Sequence, residues 1–355
     1  MSFIHANHAV AAATVLLQRG GLGADMAGAV ARRLVQGQLL GRHTHGLAML
    51  PTYLERLADG RIAREGRIET LSDQGGSFSW RVDRLPGAWV MDRMLAQAVT
   101  RAARHAVVTA TVAGCSHIGA LQAYLADLVS RELLGLLMVT DPGVASVAPP
   151  GGIDPVITSN PVALCIPTER APLLIDQSTS MLSNGAVVAA LAAGKALPGP
   201  WLLDNQGRAT DDPAAVNTDP PGTLLPVGGL EFGYKGFGFG LMVEAFALAL
   251  SGFGRDQARE RGAQGVFLLI VDPGRFGDGK AAFLRAMSAL VDQCEASRPI
   301  PGGAGVRLPG EAALRAQARQ LRDGLDLSAE LLSRLDACAR RLGLDSFSAA
   351  APVVE

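Results

Sequence analysis

Helices packed against a β-sheet are what this sequence predicts, and three features of the chain carry that prediction. Apolar residues recur near a 3.6-residue period at both ends, strand and helix patterns alternate from about residue 70, and Pro- and Gly-rich stretches punctuate them. With 355 residues, 48% of them apolar, and no disordered or fibrous bias, the chain is long enough for two domains and a large buried core.

Residues 3–41 carry two helical patterns, one through Val10, Ala13, Leu16 and Leu17 and one through Met26, Val30, Leu34 and Leu39, with Gly20-Gly21-Leu22-Gly23 as the break. Pro51 marks the first turn of a short third helix over 51–58, where a missing N–H costs nothing. The pattern then predicts a strand over 77–82, a helix over 89–105, a strand over 107–113, a helix over 118–133 and a strand over 134–140. Residues 141–161, with Pro149-Pro150-Gly151-Gly152 among them, read as a long loop of the kind that tends to be functional. Strands over 162–166 and 173–176, a helix over 184–193, and irregular Pro- and Asp-rich chain over 197–219 come next. A strongly apolar helix over 236–250, expected to be buried on most sides, precedes a strand over 266–272 and a helix over 280–296. A Pro/Gly-rich link over 299–305 leads to two closing amphipathic helices, and there is no internal repeat.

Composition excludes several functions. Lys and Arg number 32 against 33 Asp and Glu, with no long run of one sign, so no electrostatic case exists for nucleic acid or an acidic membrane. A small-molecule substrate is the better expectation. The four cysteines are scattered without a C-x-x-C pair, which fits a reducing cytoplasm and buried thiols rather than a zinc ribbon or disulfide framework. The apolar run over 9–17 lacks the basic flank and cleavage site of a signal peptide, and no stretch approaches the ~20 apolar residues of a membrane span.

Candidate chemistry centres on Gly41-Arg42-His43-Thr44-His45-Gly46. Histidine is the side chain best suited to exchanging a proton near neutral pH. His45 and His117 each precede a Gly or Ile-Gly at a helix entry, where backbone approaches a ligand closely, whereas His5, His8 and His105 read as structural. His43, His45 and His117 lack the nearby carboxylates and thiolates of a metal site, so no metal is expected. Gly277-x-Gly279-x-x-Ala282 is detached from its preceding strand and lacks the downstream acid of a dinucleotide fingerprint, and no P-loop is present. Lys235, in Tyr234-Lys235-Gly236, is expected at the positive end of the 236–250 helix, where a charge is unfavourable unless an anion such as a cofactor phosphate sits there. The glycines there would equally suit tight helix packing. Residues 175–180 gather an acid and three hydroxyls at a strand end, as either a ribose-binding turn or a plain N-cap.

Seven blocks, in order along nearly the whole chain, resemble the malate/L-lactate dehydrogenase-like family of NAD(P)-dependent oxidoreductases, which is unrelated to the Rossmann-type enzymes of similar name. They are 41–53 (GRHTHGLAMLPTY), Ser116-His117-Ile118-Gly119, Thr158-Ser159-Asn160-Pro161, 175–180, 197–212 with its Asp204-x-x-Gly207-x-x-Thr210 spacing, 234–241, and Leu308-Pro309-Gly310-Glu311. The family includes hydroxycarboxylate, ureidoglycolate, diketogulonate and piperideine-2-carboxylate enzymes. The resemblance implies an α+β fold: a helical domain from both chain ends (1–70 and 300–355), a cofactor domain over 71–299 with a mixed, largely antiparallel sheet, and a substrate cleft between them. It replaces the doubly wound parallel sheet that the alternation over 77–140 suggests by itself. It also implies a homodimer, NAD or NADP as cofactor, and interconversion of a 2-hydroxy acid and a 2-keto acid. The matching roles are His45 as proton donor or acceptor, with His117 assisting it or taking that role, and Thr44 beside it. Thr140, Asn160, Ile175, Asp176, Ser178, Thr179, Ser180, Met181, Tyr234, Lys235, Gly236, Pro309, Gly310 and Glu311 would line the cofactor.

The chain departs from the family at two places. Where the family usually reads Asp-Ser-His-Gly, this chain has His43-Thr44-His45-Gly46, and where many members carry an Arg suited to a substrate carboxylate it has Met49, as in one hydroxycarboxylate dehydrogenase branch. That suggests a larger or more apolar substrate, or a carboxylate held by Arg42 or Arg56. Two alternatives stand beside the dehydrogenase: an NAD(P)H-dependent reductase of a cyclic imine carboxylate, and a cofactor-binding protein without turnover.

Overall fold

A computed structural model describes residues 4–256 and 262–350, so both extremities of the expected terminal helical unit lie outside the described residues. The chain begins with α1 (Ala6–Arg19) and α2 (Ala24–Leu39), then a turn of single-turn 3₁₀ helices over 43–49, and α3 (Leu50–Ala58) with Pro51 in its first turn. A meander and crossover follow: β1 (Glu69–Asp73), β2 (Ser77–Arg81), α4 (Gly87–Ala102), β3 (Val107–Cys115), α5 (Gln122–Val129) and β4 (Leu134–Thr140). Next come β5 (Val162–Ile166), β6 (Leu173–Gln177), α6 (Asn184–Ala192), the short strands β7 (Leu202–Leu203), β8 (Ala209–Thr210) and β9 (Thr223–Leu224), and α7 (Gly229–Ala247). The chain closes with β10 (Gln264–Val271), α8 (Gly279–Glu295), α9 (Glu311–Asp323) and α10 (Ala329–Arg341).

Seven strands form one sheet in the order β1-β2-β3-β10-β4-β5-β6. Only β2 and β3 pair in parallel, across the α4 crossover, while every other neighbouring pair is antiparallel. The doubly wound parallel sheet is therefore wrong, and β10 is the reason. It arrives from far along the chain and inserts antiparallel between β3 and β4, pairing with Val107–Cys115 on one side and Leu134–Thr140 on the other. Buried over most of its length, its GVFLLIV run is the near-continuous apolar pattern of a central strand covered on both faces.

Two cores organise the molecule. The sheet and α4 enclose Trp80, Met91, Met94, Val112, Leu125, Leu137, Leu268 and Ile270. The helical core joins Leu16, Leu17, Leu34, Leu50 and Leu57 to Leu335 and Phe347 from the other end of the chain. Each such fully buried side chain contributes about 1.5–3 kcal/mol relative to exposure.

Most element positions follow the sequence pattern; three do not. The 197–219 stretch, expected to be irregular, holds β7 and β8, which β9 completes into a three-stranded sheet. β1 was not expected; its five residues are all exposed and carry no apolar alternation. The helix expected over 236–250 starts seven residues earlier, at Gly229, after Gly228 in a left-handed conformation. Nor is it buried on most sides. Its buried residues are Gly233, Gly236, Gly240, Val243 and Ala247, a stripe at three- and four-residue spacing. Five of its large apolar side chains, Leu230, Phe232, Tyr234, Phe239 and Leu241, are each at least half exposed.

Candidate active site

The ends of the sheet decide what comes together. Because β10 and β5 run antiparallel to β4, one edge of the sheet collects the end of β3, the start of β10, the end of β4, the start of β5 and the end of β6. His117, Gln264, Thr140, Pro161 and Asp176 belong to those ends or the residues next to them. The turn between α2 and α3 brings His45 to the same edge.

That turn is built by its glycines. Gly41, at φ +72°, ends α2 in a Schellman arrangement: the Arg42 N–H donates to Gly37 O at 2.9 Å and the Gly41 N–H to Gln38 O at 3.0 Å. The chain then doubles back onto α2 so closely that a Cβ at Gly46 would lie 2.7 Å from Gln38 Oε1 and 2.9 Å from Gln38 N. The two histidines of the turn part company. His43 is exposed, with Nδ1 2.8 Å from Gln38 Nε2, whose amide also donates to Asp326 O at 2.6 Å. His45 turns toward the sheet.

Thr44, His45, Met49, Arg56, His117 and Thr140 line one cleft of about 710 Å³. The His45 and His117 rings stack with centroids 5.7 Å apart and planes 26° apart. Thr44 Oγ1 lies 3.0 Å from His45 Nδ1. Tyr53, from α3, places its hydroxyl 2.7 Å from His117 Nδ1, and the Gly119 N–H donates to the same nitrogen at 3.3 Å. A backbone N–H only donates, so Nδ1 accepts, and the neutral His117 carries its proton on Nε2. Burial raises the Tyr53 phenol above its ordinary range, so it stays protonated.

The electrostatics of His45 come from three sources. Burial pushes its pKa below the usual histidine value, the Asp176 carboxylate pulls it back up, and the Arg42 guanidinium pushes it further down. The pKa of Asp176 is in turn raised by burial and lowered by Arg42, the Gln122 backbone N–H and His45. Asp176 thus acts electrostatically on His45, a place that its position in a hydroxyl-rich turn did not signal.

Other expected residues lie outside the cleft lining. Arg42 reaches Gln122 and Asp176 instead. Ser178, Thr179 and Ser180 donate their hydroxyls to Ser180 O, Ser159 O and Leu182 O, and the actual N-cap of α6 is Ser183, which accepts from the Ala186 N–H. Ile175 lies in β6 opposite Leu164, and the Met181 N–H donates to Leu225 O. Asn160 is fully buried at φ +38°, its amide donating to Gly240 O and to Glu244 Oε1, which Arg255 also holds. Pro309 O accepts from the Leu174 N–H at the edge strand β6, Gly310 packs against Leu174, and Glu311 opens α9. Tyr234 and Lys235 lie on the exposed face of α7, with Lys235 Nζ 5.1 Å from the centre of the Phe232 ring. Lys235 is six residues inside the helix, not at its positive end. The glycines of this block serve close packing: a Cβ at Gly236 would lie 2.4 Å from Val227 N.

The cleft also recruits residues that the sequence did not flag. Asn184, Gly185 and Val188 come from the first turns of α6, Thr52 from α3, and Glu330 and Arg334 from α10. The Ser183 N-cap pattern is the only local signal for any of them; α10 reaches the cleft through packing with α3, which nothing near residue 330 announces. Among the described residues, no group of three or more His, Cys, Asp or Glu is placed to hold a metal ion, and no helix is long and apolar enough to cross a membrane.

A (2R)-3-sulfolactate dehydrogenase (NADP(+)) from Chromohalobacter salexigens is 30% identical over 321 residues, covering 87% of this chain and 90% of that protein. A Δ1-pyrroline-2-carboxylate/Δ1-piperideine-2-carboxylate reductase from Pseudomonas syringae pv. tomato is also 30% identical, over 332 residues, with coverage of 90% and 91%. The crystal structure of malate dehydrogenase from Entamoeba histolytica, at 19% identity, superposes with a TM-score of 0.89 over 97% of this chain and 98% of that one, which shows the shared fold. The malate/L-lactate dehydrogenase family model matches residues 4–336. With nearly the whole chain matched, the protein belongs to the malate/L-lactate dehydrogenase family of NAD(P)-dependent oxidoreductases.

Proposed function

We propose that the protein interconverts a 2-hydroxy acid and its 2-keto acid, with His45 exchanging the proton at the C2 oxygen. The observation that carries this reading is the stacked His45–His117 pair on the wall of the cleft, with His45 held by Thr44 and His117 by Tyr53. The lining suits a nicotinamide dinucleotide. Gly185 lies in van der Waals reach of His45 Cε1, and Asn184 and Gly185, whose amides a helix start leaves without internal acceptors, line the cleft wall. When bound there, NAD or NADP supplies hydride exchange with C2. The remaining work falls to the chain. With Nδ1 beside the Thr44 hydroxyl, His45 Nε2 meets the substrate oxygen; neutral at pH 7 because of its burial, it accepts the alcohol proton in oxidation. His117 Nε2–H donates to the same oxygen or to the neighbouring carboxylate. Met49, Thr52 and Arg56, along one face of α3 and the turn before it, border the substrate side chain. Thr140, Asn160 and the Glu244–Arg255 pair form the polar support under the cofactor side of the cleft.

A cyclic imine carboxylate is the second reading, favoured by the reductase relative at 30% identity. His45 would then deliver a proton to nitrogen rather than oxygen. Assaying aliphatic and aromatic 2-keto acids beside piperideine- and pyrroline-2-carboxylate, each with NADH and NADPH, separates the two; absence of turnover on every keto acid and every imine would leave a cofactor-binding protein without catalysis.

We also assign a homodimer to this chain, through α7. A 19-residue helix about 28 Å long exposes Leu230, Phe232, Tyr234, Phe239 and Leu241, with Leu250 just beyond it. Leu230, Tyr234 and Leu241, spaced four and seven residues apart, share one exposed apolar face of that helix. A second copy of the same face would cover it.

A further inference from the structure

Arg42 leaves the chain from a fixed point, the residue just after the glycine that ends α2, and reaches two other elements. Its Nε donates to Gln122 Oε1 at 3.1 Å at the start of α5, and its Nη2 donates to the Asp176 backbone O at 3.2 Å at the end of β6. Nε also lies 3.7 Å from Asp176 Oδ2, the oxygen that accepts the Gln122 N–H at 3.2 Å. Gln122 is fully buried and donates its own amide to Leu174 O. The Asp176 side chain is only 12% exposed, whereas that of Arg42 is 40% exposed. A carboxylate that buried is costly to leave uncompensated, and Arg42 is the cation that compensates it.

We propose that Arg42 is a positioning residue for proton transfer at His45: its guanidinium holds the Asp176 side chain against the Gln122 amide and places a fixed positive charge beside the imidazole. This rests on the reading of His45 as the group that exchanges the proton. The groups that face His45 are Thr44 and Arg42 from its own turn, His117 from the end of β3, Asp176 from the end of β6, and Gly185 from the start of α6, which brings no charge. Asp176 favours the imidazolium and Arg42 opposes it. Asp176 and His45 each favour the charged form of the other. The fixed charge of Arg42 biases that pair toward carboxylate and neutral imidazole, the form that accepts a proton from an alcohol. Removing the charge makes the first protonation easier, so its midpoint moves to higher pH.

The test follows the ring signals of His45 by NMR in the full-length protein as pH is varied, with His45→Ala used to assign them. This readout needs no substrate. In Arg42→Gln the midpoint rises, and Arg42→Lys, which keeps the charge without the paired contacts to Gln122 and Asp176, returns most of the change. The acid limb of kcat/KM for oxidation moves the same way, so Arg42→Gln loses about 10-fold more activity near pH 6 than near pH 8. If Arg42→Gln alone does not fold, Arg42→Gln with Asp176→Asn leaves no unpaired buried carboxylate, and its midpoint lies above that of Asp176→Asn alone. A midpoint that stays fixed or falls in Arg42→Gln, or one that Arg42→Lys fails to restore, overturns the proposal. A uniform fall in rate at every pH does the same, since it marks a structural role. Should no 2-hydroxy acid or imine be turned over while the His45 midpoint still rises, the reading of the reaction fails and only the hold of Arg42 on the His45 equilibrium stands.

Discussion

The turn over 41–46 and helix α7 are both punctuated by glycine, and the glycines do opposite things in the two places. In the turn, Gly41 reverses the chain and Gly46 lets it lie against Gln38, which leaves the polar side chains Arg42, Thr44 and His45 to point at other elements. In α7, Gly233, Gly236 and Gly240 make the first half of the buried face, which Val243 and Ala247 continue, and Leu230, Phe232, Tyr234, Phe239 and Leu241 are turned outward. One region therefore presents chemistry and the other presents surface. The difference comes from spacing. Two glycines flanking four residues make a loop, while glycines three and four apart make a groove along a helix.

His45→Ala is the variant that breaks the chemical half of this contrast, and it should cost at least ~100-fold in kcat. Because burial lowers the His45 pKa, the wild-type acid limb of kcat/KM for oxidation lies on the acid side of the usual histidine value, and reduction, which needs the proton on, gains as pH drops. A pH–rate series on both proteins checks the two statements together. An acid limb that survives in the alanine variant would assign the proton to another group, with His117 next in line.

The surface half is tested by Leu230→Asp with Leu241→Asp, eleven residues apart and so on the same side of the helix. Two carboxylates on the exposed apolar face should weaken self-association by about 30-fold or more, read by sedimentation velocity across a dilution series. A wild-type protein that is monomeric throughout the series would remove the role given to α7.

Element positions over most of the sheet were legible because each strand is short, apolar and bounded by turn residues, as at 134–140 and 162–166. Sheet order was not, because the position of β10 depends on pairing with strands more than a hundred residues away, and the local β2-α4-β3 pattern looks the same with or without it. The cleft shows the same division. His45 and His117 stand out by residue type and glycine context, but the surroundings of Asp176 are set by Arg42 and Gln122, which approach it from two other elements. Lys235 misled through a helix boundary. Seven residues of error moved it from a helix end, where its charge would need an anion, to an exposed mid-helix position where it needs none.

Met49→Arg probes how the turn hands over to the substrate side of the cleft. Met49 lies four residues after His45 and lines the same space, so an arginine there supplies a fork for a second carboxylate or a sulfonate. The expected result is a change of about 10-fold in relative kcat/KM, toward anionic and away from apolar 2-keto acids. Equal losses on both substrate classes would mean that the side chain at 49 shapes the cleft without reading the substrate.

The smallest expected effect belongs to Tyr53→Phe, and it separates support from chemistry within the site. The Tyr53 hydroxyl is buried, 2.7 Å from His117 Nδ1 and 3.3 Å from His117 O, so its loss should cost about 0.5–1.5 kcal/mol of stability. His117 Nδ1 keeps the Gly119 N–H, which preserves the tautomer with its proton on Nε2. Turnover should consequently fall by only about 5-fold, with the pH limb set by His45 left in place. Thermal unfolding and a pH–rate series on the variant measure the two parts separately. A fall in turnover approaching that of His45→Ala, without matching loss of stability, would mean that the phenol takes part in the proton path through His117 rather than merely holding the ring.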